Sequence, residues 1–229
     1  ELHYFYPCNF LFMKHLILLL LSITLLTIAC KEQGKQKKND SSPAAESALT
    51  EQNACVFSQI AYCNDITTAL TKYMPDWKIV WEGNELGGNH AFVATNGNEY
   101  ALAIRGSLIN FSWAAFQNWI YQDLHVTSQE KWLFTNDSSN AKLSQGSFDG
   151  WQNLNKMTDK KTGQLLFPFL EKELKEGSRL LITGHSLGGN LATVYASYLW
   201  QSFKKKQHTG TGINVITFAA PAAGNEAFA

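Results

Sequence analysis

The sequence predicts a mixed α/β domain, a mostly parallel central sheet flanked by helices. Three observations carry that expectation. Two β-rich runs, 91–95 and 99–105, flank Asn96-Gly97, a turn pair that suits an antiparallel hairpin. Later in the chain strand-like and helix-like runs alternate, the pattern of parallel strands joined by helices. At one strand–helix junction stands Gly184-His185-Ser186-Leu187-Gly188-Gly189, where a side chain on the flanking positions would strike the folded backbone and the incoming helix.

The chain begins with segments that do not belong to the fold. Residues 1–12 precede Met13 and are expected to be upstream read-through without a structural role. Residues 13–29 read as a signal peptide. Met13-Lys14-His15 is a short basic start, and the apolar run over 16–29 is shorter than the about 20 residues that cross a bilayer. Residues 30–46 comprise Cys30 and a polar Lys-, Gln-, Asn- and Ser-rich stretch, which cannot bury a core and reads as a flexible tether. One domain occupies 47–229, with no internal repeat and no second domain.

Within the domain, apolar residues at near-helical spacing over 46–72 predict one helix, closed by Pro75. Cys55 and Cys63 would then lie about 12 Å apart, too far for a disulfide, as small buried hydrophobes unless the helix breaks between them. Trp77-Lys78-Ile79-Val80-Trp81 alternates as a strand does, and the hairpin follows. Residues 162–176 form an amphipathic helix with Leu165, Leu166, Phe169, Leu170 and Leu174 inward. A strand over 179–183 leads to the Gly-rich junction, a helix covers 191–203, and a last strand, 213–219, ends before Pro221. The 19 basic and 19 acidic residues balance with no basic stripe, which argues against a nucleic-acid partner.

The chemistry concentrates at Ser186. Gly-x-Ser-x-Gly between a strand and a helix makes a nucleophile elbow, with the serine strained and its hydroxyl exposed at the positive end of the helix. A tight glycine turn with an idle serine would carry the same elbow glycines, Gly184 and Gly188. Acyl transfer also needs donors aimed at the developing oxyanion. One is the Leu187 N–H, and Arg105-Gly106-Ser107, following a strand, is a candidate for the other or a plain turn.

Four segments in order resemble the fungal-type, or class 3, triacylglycerol lipases: Ala103-Ile104-Arg105-Gly106-Ser107; Asn118-Trp119-Ile120 with Asp123-Leu124; Gly184 through Gly189; and Thr217-Phe218-Ala219-Ala220-Pro221 with Gly224-Asn225 and Phe228. The resemblance covers about residues 50–229 and implies an α/β-hydrolase fold. It implies that Ser186 is the nucleophile of a serine hydrolase cleaving lipid esters through an acyl-enzyme, in lipid metabolism, with no metal or organic cofactor. Ser107 and Leu187 would form the oxyanion hole, and His185 would point away as a structural residue. The family's lid falls on 108–121, whose apolar set also suits an ordinary core helix.

The sequence departs from the family in three places. Ser144 stands where a His is usual, and Ala219 and Ala222-Ala223 replace the commoner Gly and Arg-Val around Pro221. The family's catalytic Asp and His follow the Pro-x-x-Gly-Asn segment, and neither appears before Ala229. His3, His15, His90, His125 and His208 offer no convincing substitute. The resemblance therefore implies a fragment cut within its domain, with its C-terminal part missing and little activity by itself. A catalytically inactive lipid-binding lipoprotein of the same fold is the alternative, as is a phospholipase or short-chain esterase. Leu26-Thr27-Ile28-Ala29-Cys30 resembles a bacterial lipobox, which implies lipidation of Cys30 and anchoring to a membrane surface of the cell envelope; secretion with an incidental cysteine is the other reading.

Overall fold

Thr50 opens the first helix of the domain, its Oγ1 accepting the Asn53 N–H at 3.2 Å. Helix α1 (Glu51–Ile60) buries Ala54, Phe57 and Ile60. A second cap stops the helix from continuing. Asp65 accepts the Thr68 N–H at 2.9 Å and the Thr68 hydroxyl at 2.7 Å, which starts α2 (Ile66–Tyr73) in a new direction. The expected single helix over 46–72 is therefore two helices. Cys63 lies in the break, no disulfide joins it to Cys55, and both are half-buried rather than buried. The computed structural model describes residues 47–97, 99–106, 128–135, 140–208 and 210–228.

Among these residues a five-stranded sheet runs in the order β1-β2-β3-β6-β7: β1 (Lys78–Glu82), β2 (Ala91–Thr95), β3 (Glu99–Ile104), β6 (Arg179–His185) and β7 (Gly212–Phe218). The first two pairings are antiparallel and the last two parallel. The hairpin forms as expected, with register from Thr95↔Tyr100 to Ala91↔Ile104. A separate antiparallel pair, β4 (Gln129–Lys131) and β5 (Lys142–Ser144), leads into α3 (Gln145–Lys156). Helix α4 (Leu166–Glu173) precedes β6, and α5 (Leu187–Lys205) joins β6 to β7.

Strands β2 and β3 are buried at every position because helices cover both faces of the sheet. Phe92, Ala94, Ala101, Ala103 and Leu181 pack against α1 and α2. Alternate residues, Val93, Leu102, Ile104, Leu180 and Ile182, meet Leu166 and Leu170 of α4 and Leu191 and Tyr195 of α5. A third cluster around fully buried Trp132 joins Leu143, Val194 and Ala223.

Helix α4 is shorter than the expected 162–176. The Asp159 carboxylate takes the N–H groups of Lys161 and Thr162, the Thr162 hydroxyl and, from β1, the Glu82 N–H. Those bonds hold 159–162 as a turn, and Leu165, expected inward, is 39% exposed just ahead of the helix. At the other end of the sheet buried Glu99 pairs with Arg179 and accepts from the Ser47 hydroxyl and the Ala48 N–H, each at 3.0 Å. The start of the described chain is thereby fixed to the first residues of β3 and β6. No helix among the described residues is long and apolar enough to cross a membrane.

Candidate active site

Strand β6 delivers Ser186 directly into α5. Ser186 has φ 58° and ψ −128°, a left-handed conformation for a residue with a side chain. Its N–H donates to Phe218 O at 2.9 Å, and its carbonyl accepts from Gly189 N–H at 2.9 Å and Asn190 N–H at 3.1 Å. The reversal is tight enough that a Cβ on Gly184 would strike the Gly188 carbonyl group, and one on Gly188 would strike Ile104 O and lie 2.8 Å from Gly106 N. Close approach, not positive φ, is what requires glycine at both positions.

Leu187 is the first residue of α5, so its N–H is one of the four that no helical carbonyl takes, at the positive end of a helix dipole. The contact between Gly188 and the Ile104–Gly106 backbone sets the end of β3 against this helix start. Ser107 follows Gly106 but lies outside the described residues, as do Cys30, the segment 108–121 and His125. The exposed hydroxyl expected at the corner is corrected: Ser186 is only 4% exposed, its backbone held against the end of β7 by the bond to Phe218 O. Its Oγ is buried and has no hydrogen-bond partner among the described residues.

The described histidines are engaged elsewhere. His185 Nδ1 lies 3.2 Å from the Tyr62 hydroxyl, which also donates to His185 O at 3.3 Å. Burial lowers the His185 pKa and pushes the Tyr62 hydroxyl up to about 12. His208 stacks on Phe203 with ring centroids 4.3 Å apart, beyond the far end of α5. His90 lines a polar cavity of about 200 Å³ with Glu82, Glu85, Arg105, Lys160 and Cys63. There Arg105 pairs with Glu85 at 2.6 Å and Lys160 pairs with Glu82. Burial first, then the nearby Arg105 and Lys160 charges, lowers the His90 pKa to about 4. Contact with Arg105 holds the Glu85 carboxyl below its usual range. This cavity assembles residues from 63 to 160 that no local motif links.

Ser144, in place of the expected His, caps α3: its Oγ lies 2.8 Å from Ser147 Oγ, which donates to Asn190 Oδ1 at 2.9 Å. A buried polar chain thus runs beneath the elbow, and no motif announces it because its members come from two helices.

A mixed sheet covered on both faces, with a strained serine between a parallel strand and the start of a helix, defines the α/β-hydrolase fold. The model of the lipase (class 3) family matches residues 101–229, and the chain belongs to that family. Solved structures share the fold. M37 lipase is 23% identical with a TM-score of 0.64, the match covering 80% of this chain and 62% of that one. The lipase from Rhizopus microsporus var. chinensis is 20% identical with a TM-score of 0.60 over 80% and 62% of the two chains. Lipase II from Rhizopus niveus is 20% identical with a TM-score of 0.57 over 79% and 64%. The chain therefore spans under two thirds of the length of these lipases. A comparison with curated proteins gives no match.

Proposed function

We propose that the full-length protein is a lipid ester hydrolase, a lipase or esterase, with Ser186 as its nucleophile. The observation that carries this reading is the Ser186 Oγ, buried and unpartnered among the described residues, at a strained corner beside the first N–H of α5. Ser186 Oγ attacks the ester carbonyl while a histidine from outside the described residues takes its proton, oriented by an aspartate. The Leu187 N–H and Ser107 donate to the tetrahedral oxyanion. Collapse expels the alcohol, which takes the proton back from the histidine. Water then attacks the acyl-enzyme by the same route and frees the fatty acid and Ser186. The segment 108–121 acts as a lid, and a lipid on Cys30 tethers the domain to a membrane of the bacterial cell envelope.

Expression of the complete open reading frame and assay on short- and long-chain acyl esters tests this reading. Ser186→Ala is expected to lower turnover by about 10⁴-fold or more. Intact turnover in that variant removes Ser186 from the role. A second reading, an inactive lipid-binding lipoprotein, draws on the engagement of His90, His185 and His208 away from Ser186. Failure of a fluorophosphonate to label the unmodified protein would favour it. Loss of fatty-acid labelling in Cys30→Ala tests the anchor.

A further inference from the structure

Asn190 is a wholly buried carboxamide one helical turn beyond Ser186, and both of its ends are used. Its Oδ1 accepts from Ser147 Oγ, and its Nδ2 donates to Pro221 O and Ala222 O, each at 3.3 Å. The Ser144 N–H takes the next carbonyl, Ala223 O, at 3.0 Å. Three consecutive carbonyls of the segment leaving β7 are therefore held by α5 and by the residue that caps α3. That segment begins under strain, since Ala219 has φ 49°. A residue with a Cβ stays in that region only where its surroundings over-determine it, and the held carbonyls supply that constraint. Ala219 directly follows Phe218, whose carbonyl accepts the Ser186 N–H. Helix formation does not ask for asparagine at 190, because alanine is the better helix former and carries no polar group to desolvate.

We propose that Asn190 is a positioning residue for Ser186. Through Pro221 and Ala222 it fixes the strained turn at Ala219, and through that turn the Phe218 carbonyl that holds the Ser186 backbone. Ser147 orients the carboxamide so that Nδ2, not Oδ1, faces the two carbonyls. The inference rests on Ser186 being the nucleophile.

The test uses the protein expressed from the complete reading frame. The rate constant for fluorophosphonate labelling of Ser186 is measured beside kcat and KM for a p-nitrophenyl ester and the thermal midpoint. Asn190→Ala is expected to lower the labelling constant and kcat about tenfold or more with KM little changed, because small displacements of a reacting group are costly. Ser147→Ala lowers both less, and the double variant is no worse than Asn190→Ala because the two act by one route. A merely structural role moves the thermal midpoint alone. Labelling of Asn190→Ala at the wild-type rate overturns the positioning role and leaves Ser186 as nucleophile. If Asn190→Ala does not fold, Ser147→Ala decides: a reduced labelling constant supports the proposal and an unchanged one overturns it. Failure of the unmodified protein to label overturns the reading of Ser186 and this inference together.

Discussion

Ser186 keeps a φ of 58° although it carries a Cβ, a conformation that stores about 1–3 kcal/mol and is held by bonds to Phe218, Gly189 and Asn190. Ser186→Gly is accordingly expected to be more stable than Ser186→Ala by about 1 kcal/mol in urea unfolding, while both variants lose turnover. A second effect at this scale belongs to His90, whose ring the fold keeps neutral down to a pKa of about 4 against an ordinary 6.5. The unfolded chain takes up that proton near pH 6.5 and the folded one resists it, so the stability His90 contributes is whole above 6.5. It drains away as the pH falls towards 4 and levels off below. The loss is on the order of 3 kcal/mol, and His90→Gln should show a shallower fall in urea midpoint between neutral and acid pH. The elbow residues were legible because strand, corner and helix are adjacent in sequence. The burial of Ser186 was not, since the corner meets the end of β7 only in the folded chain.

Among the elements, hairpin β2–β3, strand β6 and helix α5 follow from pattern alone, because each is long or carries its own turn residues. Helix α3 was hidden by Gly146 and Gly150, which weaken a helical pattern. Gly150 is there because α3 packs so closely on Leu191 that a Cβ would strike it. The break between α1 and α2 turned on one cap, Asp65 with Thr68, inside a continuous apolar periodicity. The Glu99 carboxylate ties the ends of β3 and β6 to Ser47 and Ala48, and four donors share it: Ser47, Ala48, Asn96 and Arg179. Glu99→Ala leaves those donors without their acceptor and is expected to cost about 2–4 kcal/mol, measured by denaturant unfolding.

Taken whole, the domain packs unlike layers on the two faces of its sheet. Ala94, Ala101 and Ala103 let α1 lie close on one face, while Leu102, Ile104 and Ile182 fill the space beneath α5 on the other. Ala103→Leu should therefore lower stability by about 1–3 kcal/mol by wedging α1 outward, seen as a lower thermal midpoint. The class of architecture was readable from alternating elements, but which face held the small residues was not, since β2 and β3 are apolar on both sides. Strand β6 also sets a distance. Its seven residues separate the Glu99–Arg179 pair from Ser186 by about 23 Å. A pull applied to the chain at Ser47 is thus borne at the foot of the sheet, and the elbow at its summit is mechanically insulated from it.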